Sequence, residues 1–176
     1  YIYNLENGFW RQKQKIVASD GANDDEFGVG VDIDGDYLIV GARFENASGS
    51  EAGSAYIFKN ISGTWTEEAK IGASDGSSTD QFGRFVAISG DVAVATAYRG
   101  VGSQDDFGGA YVFRSGSSGW YQEQKITPDF LVENDDYYGV SVAFDGEHIT
   151  IGSQRHDDNP AGSNRGAVYI YQSASS

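Results

Sequence analysis

Short runs of alternating apolar and polar residues return three times along the chain. Val31 and Ile33 share one side of the run that follows Phe27-Gly28. Val86 and Ile88 repeat this after Phe82-Gly83, and Val142 and Phe144 after Tyr138-Gly139. A period of two is the mark of a β-strand. Each run ends at Gly35-Asp36, Gly90-Asp91 or Gly146-Glu147. Such pairs signal tight hairpins, because Gly tolerates positive φ. The runs that follow, Tyr37 to Ala42, Val92 to Ala97 and His148 to Ser153, are almost wholly apolar. They predict strands buried on both faces. An aromatic strand closes each copy: Tyr56-Ile57-Phe58, Tyr111-Val112-Phe113 and Tyr169-Ile170-Tyr171, with Tyr1-Ile2-Tyr3 as one more version. Trp10, Trp65 and Trp120, spaced by 55 residues, open a further strand that runs to Lys15-Ile16, Lys70-Ile71 and Lys125-Ile126. No stretch shows helical periodicity.

Four short antiparallel strands in each unit of about 50 residues predict an all-β fold of β-propeller blades. A solenoid is the alternative, but its repeats carry one strand or two helices. The units fall at 10–58, 65–113 and 120–171 within a single segment, 1–176. Stacked blades bury a shared core, so one blade alone should not be stable.

The units resemble FG-GAP repeats, the blades of integrin α-subunit head propellers and of many bacterial surface proteins. Phe27-Gly28 with Val40-Gly41-Ala42 carries the resemblance in the first unit. Phe82-Gly83 with Ala95-Thr96-Ala97, degenerate at the Gly, carries it in the second, and Tyr138-Gly139 with Ile151-Gly152-Ser153 in the third. Ala18-Ser19-Asp20-Gly21 and Gly53-Ser54-Ala55-Tyr56 are closest to the compact bacterial form. The resemblance implies seven-bladed rings, whereas this chain carries about three blades. Mapped as inner, second, third and outer strands, the chain starts in a third strand and ends after another third strand. Known rings have four to eight blades. The expectation is therefore a partial ring cut from a longer chain, or a ring completed by a homo-oligomer.

Charge narrows the partners. The chain has 12 Lys and Arg against 26 Asp and Glu, for a net charge of −14. No basic face is available for nucleic acid or an anionic membrane surface. No apolar run is long enough for membrane insertion. The absence of Cys removes disulfides, thiolate metal sites and cysteine nucleophiles. The chain opens on Tyr1 with no signal peptide, as a mature or excised piece would.

The resemblance also raises Ca²⁺, because integrin-type repeats often bind it in an acidic loop. The nearest match is Asp32-Ile33-Asp34-Gly35-Asp36, shorter than the family loop. It reads first as a hairpin turn, with Asp32, Asp34 and Asp36 as candidate cation ligands. Asp32 stands where the other units have Ala87 and Ala143, so its carboxylate needs a partner or the central channel. Asp25, Asp80 and Asp136 each precede an aromatic by two residues and read as caps of loop N–H groups.

The connections between second and third strands differ most among the units, and variable loops on a rigid scaffold are where binding sites lie. Asp105, Asp106 and Phe107 in the second, and Arg155, His156, Asp157 and Asp158 in the third, are the candidate ligand contacts. The three Trp residues read as packing between blades rather than sugar platforms. No serine elbow, zinc-protease helix, phosphate loop or dinucleotide fingerprint is present. The expected function is a non-catalytic, extracellular or cell-surface adhesion module for a protein or glycan. A carbohydrate-binding lectin and an accessory domain of a larger secreted enzyme are the alternatives.

Overall fold

The computed structural model describes residues 1–46, 51–97, 108–128, 136–156 and 165–173. The apolar alternation becomes strands, and the Gly pairs become turns, as the pattern requires. Thirteen strands follow in order: β1 (Ile2–Glu6), β2 (Phe9–Gln14), β3 (Phe27–Asp34), β4 (Tyr37–Ala42), β5 (Ser54–Ile61), β6 (Thr64–Ile71), β7 (Val86–Ser89), β8 (Val92–Ala97), β9 (Gly109–Gly116), β10 (Gly119–Ile126), β11 (Tyr138–Phe144), β12 (His148–Ser153) and β13 (Ala167–Gln172). No helix occurs among the described residues.

The strands form four antiparallel sheets. Blade 1 is β3-β4-β5-β6, blade 2 is β7-β8-β9-β10, and the last blade is β11-β12-β13. The β1-β2 pair forms a two-stranded sheet of its own, whose sequence repeats the third and outer strands of the blades. Gly35 and Gly90 turn the inner hairpins at φ of 55° and 56°, which L side chains rarely adopt. The ring is not closed.

Each blade has two working faces, because side chains alternate along every strand. Cross-strand pairing puts Val31 with Val40 and Ile33 with Leu38 on the face toward β1-β2. The other face of blade 1 carries Ile39 and Ile57, and it packs on Val86 and Ile88 of blade 2. The next seam repeats this. Val94 and Val112 of blade 2 meet Val142 and Phe144 of the last blade. The second strands β4 and β8 are thus buried on both sides, as their unbroken apolar runs require.

The aromatic of each Phe-Gly pair packs on the third strand of its own blade. Phe82 stands edge-on to Tyr111 and Phe113, at 5.6 and 5.9 Å between ring centroids. Phe27 repeats this with Tyr56 and Phe58, and Tyr138 with Tyr169. Trp120 reaches across the seam to Tyr37, 5.5 Å away, while Trp65 is buried against Leu38 and Phe58. Two of the three Trp residues therefore pack as expected, whereas Trp10 lies exposed on β2.

Gly83 and Gly139, from the second and third of these pairs, sit against the preceding blade, whereas Gly28 faces open space. A Cβ on Gly41 would stand 1.6 Å from the Gly83 carbonyl oxygen, so this seam admits no side chain at position 41. Thr96 takes the same place in blade 2. Its Oγ1 donates to the Gly139 carbonyl at 2.8 Å, and the side chain is fully buried. Substitution T96V keeps the shape and removes this donor. It should cost about 1–2 kcal/mol, a fall in Tm of a few degrees by calorimetry; an unchanged Tm would show that the bond is not part of the seam.

Candidate functional site

The register sorts the connections to opposite ends of the blades. Phe27 pairs with Ala42, Ala42 with Ser54, and Ala55 with Ile71. The crossovers between blades and the connections from second to third strands therefore share one rim. The short hairpin turns, such as Gly35-Asp36 and Ser62-Gly63, share the other end.

The rim is acidic and cross-linked. Asp20, from the crossover before β3, accepts hydrogen bonds from the Tyr56 hydroxyl at 2.8 Å and from Lys70 Nζ at 2.6 Å. Lys70 also pairs with Glu45 at 3.0 Å. Blade 2 repeats the cluster, with Tyr111 and Lys125 donating to Asp75 at 2.9 and 2.7 Å. The hydrogen bonds from Lys70 and Tyr56 hold the Asp20 carboxyl below the usual range. Burial pushes Asp75 up, but the Lys125 and Tyr111 bonds outweigh it and its pKa is also lowered. Burial alone would lower the Lys70 pKa, but its bonds to Asp20 and Glu45 prevail and raise it.

A carboxylate with a depressed folded pKa stabilises the fold above its unfolded pKa, and that contribution is lost as pH falls through the folded value. Thermal stability should therefore decline on acidification below about pH 4. The double variant D20N/D75N should show a shallower acid decline across that window. Parallel profiles for the two proteins would remove these carboxylates from the account.

Asp25 and Asp80 cap their crossovers as anticipated. Asp25 accepts from the Ala22 amide at 2.7 Å, and Asp80 accepts from the Ser77 amide at 2.7 Å and the Ser77 hydroxyl at 2.9 Å. The crossover before Asp136 lies outside the described residues, and Asp136 also meets the last blade. Its carboxylate lies 3.1 Å from His156 Nδ1, and its carbonyl accepts from the Ser153 hydroxyl at 2.7 Å. The Tyr169 hydroxyl lies 3.3 Å from the same His nitrogen. His156 occupies the place of Glu45, since the Gly166 amide bonds to its carbonyl as the Gly53 amide bonds to that of Glu45. Arg155, beside it, lies over the Tyr137 ring at 4.5 Å.

Of the candidate ligand contacts, Arg155 and His156 stand on this rim, and His156 is joined to Asp136 and Tyr169. Asp105, Asp106, Phe107, Asp157 and Asp158 lie outside the described residues. The sequence marks Asp20 and Asp75 as part of acidic crossovers but not their Tyr and Lys partners. The signal for the Lys was present in its spacing of 50 residues from the Asp in the first two crossovers.

The acidic turn does other work. One Asp32 oxygen accepts from its neighbour Ile33 N–H, and the other from Ile88 N–H of blade 2 at 2.8 Å. Asp34 accepts from Gly90 N–H at 2.8 Å. Both carboxylates thus tie the inner strand of blade 1 to that of blade 2. Among the described residues, no three acidic or histidine side chains are placed to hold one metal ion.

This geometry meets a family model. The model of the FG-GAP repeat matches three times, over residues 10–58, 65–113 and 120–171. The chain belongs to the FG-GAP repeat family. Each matched repeat runs from an outer strand through the first three strands of the blade that follows it, and the two Gly-bearing motifs are the two sides of one seam. The Phe-Gly turn of one FG-GAP blade seats on the Gly, or here also the Thr, of the second strand before it. A comparison with curated proteins gives no match.

Proposed function

We propose that this FG-GAP segment is a non-catalytic binding module that works outside the cell or at its surface. It presents its loop rim to a protein or glycan. The observation that carries this reading is the division of the two ends. Among the described residues, the strand ends that the long, sequence-variable connections join lie at one rim, while the other end holds short turns. Packed blades with paired charges at the crossover bases give such loops a rigid footing.

The aromatic side chains weigh on the ligand class. Tyr56, Tyr111, Trp65 and Phe82 are spent on packing inside the complete blades. These four offer no stacking platform for sugar rings, and a lectin site would have to use the exposed Phe9, Trp10 or Tyr121 instead. The chain can be screened by biolayer interferometry against immobilised extracellular-matrix proteins and a glycan panel. Saturable binding to a protein that weakens with salt is expected. Binding only to glycans would return the lectin reading, and turnover of a glycan would overturn the non-catalytic one.

A further inference from the structure

Gln14 closes the outer edge of blade 1. Its Nε2 donates to the Trp65 carbonyl at 2.7 Å, and its Oε1 accepts from the Trp65 N–H at 2.9 Å. The carboxamide takes the place that a neighbouring strand would have at the start of β6. These two backbone groups point outward because Trp65 pairs with Asn60, one step from the Ile61–Thr64 pair that closes the hairpin. A carboxamide suits them because it holds an acceptor and a donor side by side.

Blade 2 has the same edge without the closure. Trp120 pairs with Ser115, one step from the closing Gly116–Gly119 pair, so its N–H and C=O also point outward. The Asn60 and Ser115 amides match in turn: they face the other way, to the Asp36 and Asp91 carbonyls at 2.8 Å each. The residue in the place of Gln14 is Ala69. Gln14 stands opposite Ile2 beside the bulge of its hairpin, and Ala69 stands opposite Ile57 beside the bulge of the next. A methyl group cannot bond to Trp120, and among the described residues no group takes its N–H or C=O. Gln122 turns its backbone the same way, and the bulge between Gln122 and Gln124 ends the run. Between them Tyr121 is 47% exposed, where blade 1 has Thr66.

The difference is internal to the chain. β6 and β10 both close complete four-stranded blades, and each follows an earlier strand of the outer type, β2 or β6. Blade 2 sends no hydrogen bond to the Trp65 edge, so a blade stacked on blade 2 in the same way leaves the Trp120 edge open. We propose that the β10 edge from Trp120 to Gln122 binds an extended, basic peptide segment of another protein, which adds to blade 2 as a further strand. An open strand edge is a template for such pairing, and its backbone groups supply the bonds. Tyr121 offers an apolar surface to a side chain of the incoming strand. Charge decides between occupants. Edge-to-edge pairing of two copies sets two chains of net charge −14 against each other, whereas a segment bearing Lys or Arg is drawn to the same field. This edge begins beside the Ser117-Ser118 turn, away from the loop rim, and is a second surface of the module.

An NMR titration of the isotope-labelled chain tests the proposal, with a peptide of alternating Lys and Val, roughly eight residues long, as the probe. The Trp120 and Gln122 amide signals should shift saturably. A69Q installs the carboxamide that blade 1 already carries. It should weaken probe binding by about ten-fold or more, while the other amide signals stay in place. In the free chain the Trp120 amide should exchange with solvent faster than the Trp65 amide. A69Q should slow exchange at Trp120, and Q14A should speed it at Trp65. Absence of binding, binding that leaves these two amides unmoved, equal affinity in A69Q, or equal exchange at Trp65 and Trp120 overturns the proposal. So does a dimer of the free chain that A69Q abolishes, since the edge then belongs to a second copy.

Discussion

Substitution F82A is expected to be among the most destabilising single changes in the chain, at about 3–5 kcal/mol. Phe82 is almost fully buried and large. Its ring is held edge-on by Tyr111 and Phe113, and Ile57 of the preceding blade closes the same cluster. Removing the ring leaves a cavity at the point where blade 1, blade 2 and the crossover meet. These backbones are fixed by strand pairing, so the cavity cannot collapse far. For a chain of this size the loss amounts to a fall in Tm on the order of 6–20 °C. F27A supplies the internal comparison. Phe27 makes the same edge contacts within its blade, but its outer side is only partly covered. It should cost clearly less than F82A. Equal costs would mean that the seam adds nothing to the stability of the motif.

G41A is the second large effect, and its cause is space rather than backbone angle. A methyl group at position 41 would overlap the Gly83 carbonyl oxygen. Both partners are backbone atoms, so neither can rotate away, and the two blades must part. An overpacked seam of this kind should cost on the order of 3 kcal/mol. Gly152 occupies the same place in the last blade, where an added Cβ meets the Ser141 hydroxyl instead. That side chain can turn aside, so G152A should cost less than half as much. Denaturant unfolding of the two variants measures the difference.

Much of this architecture was legible because each unit repeats its local rules. The alternation at Val31 and Ile33, the Gly-Asp turns and the apolar runs such as Tyr37 to Ala42 fix strand type and order without tertiary information. The third-strand start and third-strand finish were readable from Tyr1-Ile2-Tyr3 and Tyr169-Ile170-Tyr171. The cross-blade partners were less accessible. Asp32 looked like a cation ligand or a channel residue. The structure gives its carboxylate the Ile88 N–H of blade 2, a bond between residues 56 positions apart. Such a bond depends on how two strands stack, which no local pattern records. Thr96 looked like a degenerate Gly for the same reason, until its hydroxyl met the Gly139 carbonyl. The place of His156 against Asp136 and Tyr169 likewise depends on where the crossover lands.

In the proposed function the acidic rim is the recognition surface. Its recurring carboxylates are partly occupied by Tyr and Lys at the base of each crossover. Their work there is to anchor loops, and the remaining charge sets the field that a ligand meets. A basic protein surface suits that field better than an acidic one.

The most direct measurement compares variants at the two ends of the blades for binding to the tightest partner from the interferometry screen. R155A/H156A changes the loop rim, and D36N/E147Q changes the turn end. The rim variant should weaken binding by about ten-fold or more, while the turn-end variant binds as the parent chain does. Loss of binding through the turn end, with the rim variant unaffected, would contradict the assignment of the loop rim as the recognition surface.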